Sequence, residues 1–146
     1  MEQRFTLDES QLQTLVRHLM DISPAPQVYC FRGDLGAGKT TLIKQIAKAL
    51  GFSGDVSSPT YGLVNTYPLD HNRSIYHTDW YRINELDELY DAGIEDSLYN
   101  PDAIWLIEWP QVGMEILMGF HVLDIEIKHL DQQREYILTD YPLYTM

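Results

Sequence analysis

A lysine, two threonines and three glycines stand together in the 146-residue chain, in the run Gly33-Asp34-Leu35-Gly36-Ala37-Gly38-Lys39-Thr40-Thr41. Its first eight residues satisfy the spacing G-x-x-x-x-G-K-[ST] at every fixed position. The chemistry that suits this spacing is the binding of a polyphosphate. Glycines let the backbone turn its N–H groups inward around a phosphate. The N-terminus of a following helix adds the positive end of its dipole. Asp34, Leu35, Gly36, Ala37, Gly38, Lys39, Thr40 and Thr41 form the expected nucleotide cradle. In it Lys39 reaches the outer phosphates and the Thr40 hydroxyl binds magnesium. The spacing therefore predicts ATP-type ligands held with Mg2+.

Magnesium on a triphosphate usually takes a second protein ligand, an acid at the end of a neighbouring strand. Glu108 closes the apolar run Ala103-Ile104-Trp105-Leu106-Ile107 and fits that place beside Thr40. Its competing reading is a carboxylate that caps the next helix. Asp79 ends an alternating segment just before Trp80, Tyr81 and Arg82, and could orient the attacking water. It could equally cap a turn. Thr60 follows Ser57-Ser58-Pro59 where nucleotide-sensing switch loops sit. Lys39, Asp79 and Thr60 are thus the catalytic candidates. Arg82 suits a phosphate contact or an ion pair with nearby acids. Trp105 reads as core, and Trp109 as core or site border. The five histidines show no metal-ligand spacing, so no zinc is expected.

These residues need a strand, a loop and a helix in that order. Gln27–Arg32 reads as a short buried strand. Leu42, Ile43, Ile46, Ala47 and Leu50 recur at helical spacing, with Gly51 as a C-cap. Upstream, Thr6-Leu7-Asp8-Glu9 has capping-box spacing, and Leu12, Leu15, Val16 and Leu19 extend a first helix over about 7–20. A hairpin is expected from Tyr61–Tyr67 and Ser74–Asp79, then a short helix over Glu85–Ala92 closed by Gly93. Ala103–Glu108 reads as a buried central strand. Val122–Ile127 and Glu135–Thr139 read as two further strands. The mixture predicts an α/β, P-loop NTPase-like three-layer fold with a mostly parallel sheet and an antiparallel portion. Residues 1–146 are expected to form one domain.

The balance of 22 acidic against 10 basic residues gives a net charge of −12. That argues against autonomous nucleic-acid binding, which relies on basic patches. Cys30 is the single cysteine, read as a small core hydrophobe, and a reducing cytoplasm is the expected compartment. No apolar run is long enough to span a bilayer.

With Ser58-Pro59-Thr60-Tyr61, His77-x-Asp79-x-Tyr81-Arg82 and Ile107-Glu108-Trp109-Pro110 added in order, the chain resembles the TsaE (YjeE-type) P-loop ATPase family of bacteria. The resemblance runs from about residue 5 to 140. It implies an ATPase required for N6-threonylcarbamoyladenosine modification of tRNA. Such an ATPase acts with TsaB and TsaD to activate or reset their complex, and reaches tRNA only through them. By position it implies Lys39 as the phosphate-loop lysine, Thr40 and Glu108 as magnesium ligands, Thr60 as switch threonine and Asp79 as motif aspartate. Two rivals remain on sequence: a nucleotide-dependent binding module that hydrolyses little, and a small-molecule P-loop kinase. A kinase usually closes an arginine-bearing lid, and only Arg73, Arg82 and Arg134 follow the loop.

Overall fold

Two apolar runs without polar alternation lie side by side at the centre of the sheet, β2 (Val28–Arg32) and β5 (Ala103–Glu108). Strands covered on both faces need apolar side chains on both. The structure, a computed structural model, describes residues 2–34, 38–59 and 64–142. The other strands are β1 (Glu2–Leu7), β3 (Val64–Pro68), β4 (Ser74–Asp79), β6 (Val122–His129) and β7 (Arg134–Tyr141). All seven join one sheet in the order β1-β7-β6-β2-β5-β4-β3. The middle four, β6-β2-β5-β4, are mutually parallel. Antiparallel partners finish both edges: β3 on one side, β7 and then β1 on the other. The expected mixed α/β architecture is therefore present.

Helices cover both faces. On one lie α1 (Leu12–Met20) and α2 (Lys39–Leu50), whose buried Leu12, Leu15, Val16, Leu19, Leu42, Ile43, Ile46 and Ala47 recur at helical spacing. They pack on Tyr29, Phe31, Leu106, Leu123 and Ile125 of the sheet. On the other lie α3 (Leu86–Asp91), α4 (Ile94–Leu98) and α5 (Met114–Leu117), over Val28, Cys30, Trp105, Ile107 and Val122. Cys30 is fully buried there, as its expected core role requires. Among the described residues no helix is long and apolar enough to cross a membrane.

Three elements differ from expectation. The segment before residue 8 is strand, and the first helix begins only at Leu12 after a 3-10 turn over Glu9–Gln11. The cap pairs Asp8 with Gln11, whose side chain accepts the Asp8 backbone N–H at 3.1 Å. Strand β1 contains no buried residue and carries Glu2 and Arg4, so it has the polar look of an edge strand rather than an apolar run. Beyond Gly93 the chain also re-enters a helix, α4.

Two local contacts fix the strand ends that matter most. Arg32, the last residue of β2, donates from Nε to both oxygens of buried Asp124 at 3.1 Å and from Nη2 at 2.6 Å. This bidentate pair ties β2 to β6 where the chain departs for the phosphate loop. Gly113, shortly after β5, lies under Trp80 and Leu89. A Cβ there would meet the Trp80 ring at 2.4 Å and Leu89 at 2.7 Å. Gly113→Ala is therefore expected to destabilise the fold by about 1–3 kcal/mol through overpacking, seen as a lower denaturation midpoint. An unchanged midpoint would show that Trp80 has room to move.

Candidate functional site

Parallel register determines where the charged side chains emerge. In the β4–β5 pairing Asp79 stands opposite Glu108, and in the β2–β5 pairing Phe31 stands opposite Glu108. The three strands therefore end at one level, and the loop after β2 opens beside both carboxylates. This carboxyl edge is where parallel α/β sheets bind ligands. Backbone bonds lock the arrangement: Trp80 N–H donates to the Glu108 carbonyl at 2.9 Å, and Trp109 N–H donates to the Phe31 carbonyl at 2.9 Å.

Helix α2 begins at Lys39, with Gly38 as its N-cap at φ 102°, a left-handed conformation suited to glycine. Lys39 is nearly buried at 6% exposure. Its ammonium donates to the Gly33 carbonyl and, at 3.3 Å, to the Asp34 carbonyl. It also lies 4.6 Å from the centre of the Trp109 ring. Trp109 itself has φ 54°, unusual for a bulky residue, and this backbone turn brings its indole over the lysine. Tyr81 packs against the same indole at 5.0 Å between ring centres. Trp105, by contrast, is core.

Gly38, Lys39, Thr40, Thr41, Ser58, Asp79, Glu108, Trp109 and Arg134 line one cleft of about 350 Å³. It offers two cations, three hydroxyls and two carboxylates around the start of a helix. Hard oxygen donors of this type suit Mg2+, which usually takes one or two protein ligands and completes its shell with phosphates and water. Among the described residues no cluster of three or more His, Cys, Asp or Glu could cage a metal by itself. The donor set thus fits a metal that arrives with a phosphate ligand.

Each carboxylate has its own local support. Asp79 Oδ1 accepts the Tyr81 backbone N–H at 2.9 Å, so the expected turn-capping role and a place in the cleft coexist. Glu108 Oε2 meets His77 Nε2 at 2.8 Å, with both residues buried. A carboxylate only accepts, so His77 carries a proton on Nε2. Nδ1 then faces the Tyr67 hydroxyl at 2.9 Å. The same hydroxyl lies 3.1 Å from the Ser57 carbonyl. Hydrogen bonds thus run from Glu108 through His77 and Tyr67 to the loop that contains Ser57 and Ser58.

Burial pushes Asp79 above the usual carboxylate range. The Tyr81 N–H opposes this, Glu108 adds to it, and Lys39 and His77 pull back. Burial also lowers Lys39, against the attraction of Glu108, Asp79 and Asp34.

Of the expected site residues, Gly38, Lys39, Thr40, Thr41, Asp79 and Glu108 converge on the cleft. Asp34 reaches Lys39 through its carbonyl. Leu35, Gly36, Ala37 and Thr60 lie outside the described residues. His77, Ser58 and Arg134 were not among the expected site residues. His77 has a sequence signal, because an in-line residue two before Asp79 points to the same face of a strand. Arg134 has none, since its proximity to Gly38 depends on how β7 joins the sheet.

The model of the family described as threonylcarbamoyl adenosine biosynthesis protein TsaE matches residues 6–136. The chain belongs to the TsaE family. TsaE proteins similar to it include that of Haemophilus influenzae, 44% identical over 102 residues, covering 70% of this chain and 63% of that protein. The chain thus spans a little less than two thirds of that relative's length. The TsaE of Borreliella burgdorferi is 39% identical, covering 72% and 75%. The TsaE of Rickettsia felis is 32% identical, covering 87% and 72%. The crystal structure of Bacillus subtilis YdiB superposes with a TM-score of 0.67 at 27% identity, covering 97% of this chain and 86% of that one.

The raised Asp79 pKa has a definite sign. A carboxyl whose folded pKa lies above its unfolded value favours the folded state below the unfolded pKa, and that contribution is lost as pH rises through the folded pKa. Asp79→Asn keeps the acceptor for Tyr81 N–H and removes the charge. It is expected to be more stable than wild type at pH 7, by under about 1 kcal/mol because the group is half-exposed. The advantage should disappear below the unfolded carboxylate pKa. Chemical denaturation at both pH values checks this, and a variant weaker at pH 7 would contradict it.

Proposed function

We propose that this chain binds ATP with Mg2+ and hydrolyses it in the service of tRNA threonylcarbamoyladenosine biosynthesis. The observation that carries the reading is the convergence of Lys39, Thr40, Thr41, Asp79 and Glu108 on one cleft in a member of the TsaE family. Loop N–H groups and Lys39 hold the phosphates, and the α2 N-terminus adds its dipole. Thr40 and Glu108 are the magnesium ligands. Bound magnesium supplies charge neutralisation for the phosphates.

The chain's own groups supply the rest. Lys39 moves from the Gly33 and Asp34 carbonyls to phosphate oxygens, a short displacement because its stem is already buried beside the cleft. His77 orients the Glu108 carboxylate through the bond to Oε2. Asp79 and Thr60 place the attacking water. The chain acts with TsaB and TsaD, which its ATP turnover activates or resets, and tRNA is reached through them. The net charge of −12 supports an indirect route to tRNA.

The test is Mg2+-dependent ATP hydrolysis by the purified protein, alone and with TsaB and TsaD. Turnover should rise with the partners and fall by about 100-fold or more in Lys39→Ala, the scale for losing one electrostatic stabiliser of a transition state. Wild-type turnover in the variant would refute the assignment of Lys39. Full activity alone, with no response to the partners, would refute the partnership.

A further inference from the structure

Tyr67, His77 and Glu108, on three adjacent strands, form a stair across one face of the sheet. In the β3–β4 pairing His77 stands opposite Asn65, and in the β4–β5 pairing it stands opposite Leu106. Tyr67 lies two residues beyond Asn65, and Glu108 two beyond Leu106. Both therefore share the face of His77 and sit diagonally from it. The hydrogen bonds follow those diagonals, Tyr67 Oη to His77 Nδ1 at 2.9 Å and His77 Nε2 to Glu108 Oε2 at 2.8 Å. All three residues are buried. The Tyr67 ring is fixed by stacking on Phe52, with 4.7 Å between ring centres.

At Tyr67 there are fewer protons than acceptors. The Glu108 carboxylate fixes a proton on His77 Nε2, and in the neutral ring Nδ1 is then an acceptor. The Ser57 carbonyl, 3.1 Å from the same Tyr67 hydroxyl, is an acceptor too. A phenol has one proton to donate. The two acceptors therefore compete for it. Ser57 does not depend on Tyr67 alone. Asn65, on the same face of β3, donates from Nδ2 to the Ser57 carbonyl at 3.1 Å and reaches Ser57 Oγ at 3.4 Å. The loop thus stays on β3 whichever way the Tyr67 proton points, and is held more firmly when it points to Ser57.

Glu108 biases the choice, because hydrogen bonds in a chain polarise one another. A carboxylate that draws on Nε2–H makes Nδ1 a stronger acceptor and keeps the Tyr67 proton on His77. A Glu108 that shares its charge with a cation draws less on Nε2–H. Nδ1 then weakens, and the Tyr67 proton is better placed on the Ser57 carbonyl. Ser58, the next residue, lines the cleft together with Glu108, so the loop fastened in this way is part of the wall around the ligand. We propose that Tyr67 is a positioning residue that works as a two-way latch. Its hydroxyl turns from His77 to the Ser57 carbonyl when Glu108 engages nucleotide-bound magnesium, and this fastens the Ser57–Ser58 loop at the cleft. The proton stays on the Tyr67 oxygen throughout, and no group changes its charge. The latch rests on the nucleotide and magnesium reading above.

The test is millisecond hydrogen exchange of wild type and Tyr67→Phe, each alone, with ADP, and with ADP and Mg2+, beside calorimetric titration of ADP with and without Mg2+. The substitution keeps the ring on Phe52 and removes only the hydroxyl. In wild type, Mg2+ should slow exchange at Ser57 and Ser58 by about 3- to 10-fold over ADP alone, the scale of one hydrogen bond. In Tyr67→Phe that magnesium response should be absent, while ADP still slows exchange at Lys39, Thr40 and Thr41 in both proteins. A hydroxyl of merely structural value would speed loop exchange in all three states and keep the magnesium response, and that result would overturn the latch. Wild-type loop exchange that Mg2+ leaves unchanged or speeds, in a protein whose ADP affinity Mg2+ raises, would also overturn it, and this arm needs no variant. A wild type that takes up no ADP, or whose ADP affinity Mg2+ does not raise, would overturn the nucleotide and magnesium reading and the latch with it.

Discussion

The Lys39 ammonium and two carboxylates share one small cleft without collapsing onto each other. Lys39 could neutralise Glu108 or Asp79, and the site would then be closed to a charged ligand. Instead each charge is held by a neighbour of its own. Lys39 donates to the Gly33 and Asp34 carbonyls under the Trp109 indole. Glu108 is bound by His77, and Asp79 by the Tyr81 N–H. Among the described residues Lys39 forms no ion pair. Carbonyl hydrogen bonds are weaker restraints than a desolvated ion pair, so the ammonium remains available to phosphate oxygens.

The rest of the molecule keeps those groups in place. Parallel register sets Asp79, Glu108 and the end of β2 at one level, and a slip of one residue would turn each side chain to the opposite face. The apolar layers on both faces penalise such a slip. The Arg32–Asp124 pair and Gly113 tighten the two strand ends from which the site loops depart. Across the sheet, β6 and β7 bring Arg134 against Gly38, so the antiparallel edge also contributes a side chain to the cleft. The bonds from Glu108 through His77 and Tyr67 reach Ser57, giving the segment before Thr60 a physical link to the Glu108 carboxylate.

Local signals made much of this legible from the chain alone. The glycine and lysine spacing, the apolar run ending at Glu108 and the helical repeat through Leu50 each reflect interactions within a few residues, and the structure has strands and a helix where they point. Asp79 was legible as the end of its strand. What escaped depends on contacts far apart in sequence. Strand β1 is recognised only by its pairing with β7, because it has no buried residue and its first half is exposed and polar. Arg134 and Gly38 are 96 positions apart by subtraction of their numbers, and nothing local marks their contact. The Tyr67–His77 bond crosses a hairpin whose existence was expected but whose buried polar pair was not.

In the proposed function Glu108, oriented by His77, supplies an oxygen to a nucleotide-bound magnesium ion. The direct measurement is the affinity of wild type and Glu108→Gln for ADP, each with and without Mg2+. Glutamine keeps the size and an acceptor for His77 while removing the charge that a hard cation needs. Magnesium should strengthen ADP binding to wild type and have little effect on the variant, with binding in the absence of magnesium similar in both. An equal magnesium enhancement in the two proteins would remove Glu108 from the metal site and contradict the account.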